Sequence, residues 1–185
     1  MSRKVICFTG RKGSGKDTLA NTICENAYGW NSTSFAYGLK TICSDIFEWL
    51  DEDYPSELKD IPLDNGFTTM SPRDVWKKMG GQHGPLRQIQ PDIFIRRVET
   101  VISDNQHSNF IITDLREPLE HQWAIKNNYP IIKIISPFAG NDSDEDYIDT
   151  IQTPYCFDNM RTYDCINYFR NVFFPKVLKD LENNH

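Results

Sequence analysis

The chain has 185 residues, 39% of them hydrophobic and 25% charged, with a formal net charge of −6. That length suits one compact domain with a substantial core, and the composition excludes disordered and fibrous classes. The negative balance argues against long-lived binding along a nucleic-acid backbone, which needs a surplus of Lys and Arg, but leaves room for a local basic pocket.

In chain order, Lys4–Thr9 is an apolar, β-branched run that stops at Gly10, and a glycine-rich turn leads into a helix-prone stretch, Lys16–Asn26. A second strand is predicted at Ser32–Phe35, after which Leu39, Ile42, Cys43, Ile46, Phe47 and Leu50 fall at helical spacing. Residues 51–70 carry acidic residues, prolines and the turn pair Asn65-Gly66, and read as a loop. Ser71-Pro72 has the form of an N-cap followed by proline at the first helical position, opening a helix that runs through Met79 and ends at Gly80-Gly81. Another helix begins at Pro91-Asp92 and reaches about Ser103. Asn109–Thr113 has a buried-strand pattern closed by Asp114, Pro118–Asn127 is helical and Ile131–Ile135 is a strand. Ser136–Asp149 is polar and acidic, a last strand is predicted near Asp164–Asn167, and a final helix at about Asn171–Leu181. Strands alternating with helices imply a three-layer α/β fold, a parallel sheet with helices on both faces.

The sharpest motif is Gly10-Arg11-Lys12-Gly13-Ser14-Gly15-Lys16, which matches the P-loop pattern G-x-x-x-x-G-K between a predicted strand and a predicted helix. Holding a polyphosphate takes backbone N–H groups turned inward, so side chains must be missing where the chain curls closest, and Gly10, Gly13 and Gly15 meet that demand. The helix N-terminus adds partial positive charge, and Lys16 is positioned to bridge the β- and γ-phosphates. Asp17 stands where Ser or Thr normally offers a hydroxyl to magnesium, with Thr18 next. Either Asp17 holds the metal, directly or through water, or Thr18 takes over part of that role; the plain alternative is that Asp17 is a first-turn acid that favours the helix dipole.

Asp114 closes its strand where a Walker-B-like metal carboxylate sits in a parallel sheet, and Arg116 has the planar fork that suits a phosphate. An ordinary turn acid and a surface charge are the plain alternatives. GTPase switches are argued against: no N-K-x-D motif occurs, and Asp114-Leu115-Arg116-Glu117 is not D-x-x-G. Apolar runs are strand-sized and broken by charge, and Met1–Lys4 shows no secretory pattern, so neither a membrane span nor a signal segment is expected. Cys7, Cys24, Cys43, Cys156 and Cys165 are widely spaced, without a C-x-x-C pair, which points to reduced thiols in a cytoplasm.

Several patterns in fixed order resemble the phage-type deoxynucleoside monophosphate kinases, a branch of the P-loop nucleoside monophosphate kinase superfamily. They are Gly10–Thr18 (GRKGSGKDT), Ser34-Phe35-Ala36 with Leu39-Lys40, Ser71-Pro72-Arg73, Gly80-Gly81-Gln82-His83, Pro91–Ile95 and Ile112–Arg116. The resemblance implies a P-loop kinase fold, a single domain over residues 1–185 with an acceptor lobe at about 36–104 and a lid at about 136–155. It implies ATP and Mg2+ as cofactors, with Asp17 and Asp114 on the metal, and a deoxynucleoside monophosphate as the small-molecule partner. Phe35, Lys40, Arg73, Gln82, Asp92, Arg96 and Arg97 become acceptor-site candidates, although Phe35 suits a core position equally and the adjacent Arg96 and Arg97 cannot both face one pocket.

One departure is plain. Related kinases commonly carry lid arginines, whereas Pro137–Thr150 holds Asp142, Asp144, Glu145, Asp146 and Asp149 and no basic residue. The expectation for this run is a solvated loop, leaving Arg11, Lys12, Arg116 and Arg161 as the cations for the transferring group. No stable nucleic-acid complex or membrane contact is expected, the location is cytoplasmic (the host's, if phage-encoded), and a homodimer is left open. The acceptor base and the choice of deoxyribose over ribose are not legible. The rival readings are a phosphomevalonate kinase-like enzyme and a P-loop ATPase or regulatory nucleotide-binding module.

Overall fold

Val5–Thr9 (β1) is buried at all five residues, and a strand apolar on both faces belongs in the middle of a parallel sheet. It holds that place in the computed structural model, which describes residues 3–55, 57–141 and 145–183. The other strands are Trp30–Thr33 (β2), Asn109–Ile112 (β3), Ile131–Ile135 (β4) and Tyr155–Asp158 (β5), in the order β2-β3-β1-β4-β5. All pairings are parallel, with Ile6 opposite Ile111, Cys7 opposite Ile131, Ser32 opposite Ile111 and Ile134 opposite Phe157.

The period-2 alternation of strands sorts the core. Ile6, Phe8, Ile111, Ile132, Ile134 and Phe157 point to one face, where they meet Leu19, Ala20 and Ile23 of helix α1 (Lys16–Asn26) and Phe169, Phe174 and Val177 near the C-terminus. Phe8 and Phe157 both meet the Phe169 ring edge-on, at 5.8 and 4.7 Å. The opposite face carries Cys7, whose thiol is pushed up by burial first and then by Asp114 and Glu120. Glu120 lies in the β3–β4 crossover helix, Pro118–Lys126, so helices cover both faces as expected.

The chain divides into two compact units, one of Met1–Ser34 with Ile102–His185, the other Phe35–Val101. In the second, Phe35–Ile46 (α2) buries Phe35, Gly38, Leu39 and Cys43. Pro72–Gly80 (α3) starts with a reciprocal capping box between Ser71 and Asp74, the stop-and-start signal that Ser71-Pro72 announces. Leu39 of α2 lies so close to Gly80 that any side chain there would displace it. Two further helices follow, Pro85–Ile89 (α4) and Ile93–Asp104 (α5). The crossover helix Pro118–Lys126 is α6.

Three expectations need correction. The second strand ends at Thr33 and Phe35 opens α2. The last strand is Tyr155–Asp158, and 164–167 lie in a helix, Tyr163–Tyr168 (α8), because Thr162 accepts the Cys165 N–H as an N-cap and Asp164 suits the first turn. The acidic stretch contains a short helix, Asp146–Thr150 (α7). Helix α8 continues through a π-helical turn, Phe169–Phe173, into Phe174–Asn183 (α9). Pro175 supplies the reason: it has no N–H to give the carbonyl four residues back and its ring crowds that carbonyl, so the helix widens just before it. Among the described residues no helix is long and apolar enough to cross a membrane.

Candidate active site

Since β1, β3, β4 and β5 run parallel, their carboxyl ends open on one edge, where ligands of open α/β sheets bind. Four connections meet there: Gly10–Gly15 after β1, Thr113–Glu117 after β3, the acidic segment after β4, and Asn159–Arg161 after β5.

The first connection curls through three glycines in the right half of backbone space, Gly10 at φ 150°, Gly13 at 75° and Gly15 at 86°. A side chain at Gly10 would strike the Ile134 carbonyl, and one at Gly15 the Asn159 amide. Gly15 caps α1, so Lys16 is its first residue and Asp17 and Thr18 stand exposed in its first turn. Lys16 is 4% exposed, and its Nζ turns back into the loop to donate to the Gly10 carbonyl at 2.5 Å, the Arg11 carbonyl at 3.0 Å and Ser14 Oγ at 3.3 Å. Burial, and then the nearby Arg116, pull this ammonium down from 10.5 to about 8, against the upward influence of Asp17, Glu145 and Asp114.

The fourth connection supports the loop from beneath. Asn159, 2% exposed, donates through Nδ2 to the Ser14 carbonyl at 2.9 Å, takes the Arg161 N–H at 3.0 Å on Oδ1, and gives its own N–H to Ile135 at 2.7 Å. Arg161, at φ 56°, donates to the Gly13 carbonyl and lies 5.4 Å from the Phe138 ring centroid. From the β4 side, the Gly140 N–H reaches the Lys12 carbonyl at 2.8 Å. Nothing local in the sequence marks Asn159; its role exists because β5 ends beside the loop.

After β3, Leu115 is tied to β1 twice: its N–H donates to Phe8 at 3.1 Å and its carbonyl accepts Thr9 Oγ1 at 2.8 Å. Asp114 is therefore held half-buried near enough to Lys16 and Cys7 to raise both. Glu120, 2% exposed, takes the N–H groups of Arg116 and Glu117 on Oε2 at 3.1 and 3.0 Å, which fixes the backbone from which Arg116 projects. Arg116 Nη1 donates to Glu145 Oε1 at 2.6 Å, while its buried Nε has no hydrogen-bond partner among the described residues.

From Glu145 on, the acidic segment is not merely a solvated loop. Glu145, with a side chain 7% exposed, accepts the Lys12 backbone N–H at 2.5 Å on Oε2 as well as Arg116 on Oε1. Arg11 donates to Asp146 at 2.8 Å and to both carboxylate oxygens of Asp149, at 3.3 and 2.6 Å. These bonds raise the Arg11 guanidinium, and hold Asp149 below the usual carboxylate range. Tyr147 of α7 meets His121 Nδ1 of α6 at 3.0 Å, a second anchor for the segment. The sequence shows the charge run but not its opposite numbers, Arg11 and the Lys12 amide more than 130 residues away in the loop and Arg116 29 residues away after β3. Asp142 and Asp144 lie outside the described residues.

The acceptor candidates all lie in the second unit. Phe35 is 2% exposed, a core position. The Lys40 ammonium lies 5.1 Å from the Trp76 ring centroid. Arg73 is paired with Asp60 at 2.6 Å. Asp92 accepts Gln90 Nε2 at 3.2 Å and Arg96 Nε at 2.8 Å, contacts that lower its carboxyl, Gln90 first. Gln82 is exposed, and the stem of Arg97 packs against Gly38. Arg96 and Arg97 thus take different neighbours, as their adjacency requires.

Asp17, Thr18 and Asp114 offer oxygen donors of the kind magnesium takes, and no cluster of three acidic, His or Cys residues among the described residues could cage a metal alone. An ion held by one or two carboxylates and completed by substrate phosphates fits that donor set.

No protein-family model and no curated protein matches the chain. Solved structures that align along nearly its whole length include TT1252 from Thermus thermophilus, with 16% identity, 98% of this chain and 99% of that one covered, and a TM-score of 0.49. Dephospho-CoA kinase from Campylobacter jejuni aligns with 14% identity, 96% and 97% coverage and a TM-score of 0.42. At these values neither likeness bears on chemistry, which rests on the chain's own residues.

Proposed function

We propose that the chain is a P-loop nucleotide kinase that moves the γ-phosphoryl group of ATP, with magnesium, onto a deoxynucleoside monophosphate. One observation carries the reading: a glycine loop at the carboxyl edge of the central strand encloses a buried lysine ammonium, with Asp114 and Arg116 converging from the neighbouring strand. Phosphoryl transfer asks for positioning and charge more than covalent chemistry, and this loop supplies both. Its amides and the α1 N-terminus bind the phosphate oxygens, and Lys16 follows the charge of the transferring group. Arg116, its backbone pinned by Glu120, serves the equatorial oxygens. Asp114, with Asp17 or Thr18, would hold magnesium, which would supply charge neutralisation for the phosphates. An acceptor phosphate is already ionised at neutral pH, so no strong base is needed at the attacking oxygen. Arg73, Lys40, Arg96 and Arg97 are the second unit's candidates for gripping that acceptor.

A module that binds nucleotide without transferring phosphate is the second reading, favoured by the engagement of Arg11 and Arg116 with carboxylates. The test is product formation from ATP and magnesium with each deoxynucleoside monophosphate, the ribonucleotides and phosphomevalonate. Conversion of a deoxynucleoside monophosphate to its diphosphate, lost in Lys16→Ala, supports the kinase. Turnover of phosphomevalonate alone would move the acceptor assignment, and nucleotide binding with no transfer to any acceptor would leave the second reading.

A further inference from the structure

A backbone amide has one proton to give. The Lys12 N–H, which belongs to the loop expected to cradle phosphate, gives its proton to Glu145 Oε2 at 2.5 Å. The other oxygen of the same carboxylate takes the Arg116 guanidinium at 2.6 Å. One turn on, Asp146 and Asp149 hold the loop's own Arg11. Carboxylate oxygens thus sit on an amide and on two guanidiniums of the kind that bind phosphate oxygens.

We infer that Glu145 and helix α7 form an internal anion that competes with the nucleotide for the phosphate loop, an inference that rests on the polyphosphate-binding reading of that loop. The exclusion is physical at each contact. Glu145 and a phosphate oxygen cannot both take the Lys12 proton, and a triphosphate arriving beside a carboxylate that is 7% exposed meets like charge with little water to screen it. Binding therefore displaces Glu145, releases Arg116 and Arg11 together, and turns them from the segment to the phosphates. Arg11 on the loop and Arg116 after β3 are already beside the phosphate site, and the acidic residues keep them neutralised until a stronger anion arrives. A competitor that is closed most of the time weakens the apparent affinity by the open fraction, so removing it tightens binding by the reciprocal, about 10-fold if the loop is open about a tenth of the time.

The test is equilibrium binding of ATP and, separately, of inorganic tripolyphosphate to the full chain. It compares the wild type, Glu145→Gln, and the double variant Asp146→Asn with Asp149→Asn. Both variants are expected to bind each ligand more tightly, Glu145→Gln by about 10-fold and the double variant by less, since Asp146 and Asp149 are 70% and 59% exposed. Equal or weaker binding by both variants overturns the inference and makes Glu145 a brace of the loop. If Glu145→Gln loses its fold, as circular dichroism would report, the surface double variant decides alone by the same criterion. Failure of wild type and variants alike to bind either ligand refutes the polyphosphate reading instead, and the competition falls with it.

Discussion

Lys16 gives the sharpest quantitative expectation. Its ammonium is held near a value of about 8 rather than 10.5, at a site 4% exposed, so keeping it charged inside the loop costs about 3 kcal/mol relative to water. The sign follows from linkage: between pH 8 and 10.5 the unfolded chain binds more protons than the folded one at this residue. The cost is thus full below pH 8 and is relieved as pH rises toward 10.5. A triphosphate carries the opposite charge to the ammonium and should restore its proton. Binding should then take up about a tenth of a proton at pH 7, about half at pH 8 and about nine-tenths at pH 9. The terminal phosphate, with a pKa of about 6, contributes little at the upper two values. Calorimetry of ATP binding in buffers of different ionisation enthalpy measures this directly. A binding enthalpy that does not depend on the buffer at pH 8, or proton release, would refute the account of Lys16, and Lys16→Met should abolish the uptake. That variant should also be more stable than wild type at pH 7, with the advantage fading by pH 10, as chemical denaturation at the two pH values would report.

Gly15→Ala forces a side chain into a left-handed conformation against Asn159, so it should cost at least 1–2 kcal/mol in denaturant melts and lose nucleotide binding. Asn159→Ala strips the Ser14 carbonyl of a buried donor, and a loss of about 1–3 kcal/mol is expected, together with faster amide exchange through the loop. Ser71→Ala removes the α3 capping box for about 1 kcal/mol, and should leave ATP affinity unchanged, separating stability in the second unit from phosphate binding in the first. Arg116→Lys keeps the charge but loses the planar fork, so turnover should fall at least about 10-fold while the melt shifts little.

The glycine loop, the central strand and the strand ending in Asp114 were legible because each is local: a handful of adjacent residues states the turn, the burial and the stop. Ser71-Pro72 was legible for the same reason. Strand Tyr155–Asp158 was missed because Tyr155-Cys156-Phe157-Asp158 is a short edge segment with one buried side chain, Phe157, too few positions for alternation to show. The supports of the site are long-range. Asn159 reaches Ser14 across 145 residues, Glu145 reaches Lys12 across 133, and Arg11 reaches Asp149 across 138. No spacing rule links such pairs; the parallel sheet brings them together by ending their strands on one edge. Glu145 looks like a solvated charge along the chain because the groups opposite it, the Lys12 amide and Arg116, belong to other connections.

The central claim is that the Gly10–Gly15 turn and Lys16 enclose the phosphates of a nucleotide. A crystal structure of the chain with magnesium and a non-hydrolysable ATP analogue tests it most directly. The phosphates should lie within hydrogen-bond reach of the amides from Arg11 to Lys16, with Lys16 Nζ turned from the Gly10 carbonyl onto phosphate oxygen. A nucleotide bound elsewhere, with Lys16 still held by Gly10, would contradict the account.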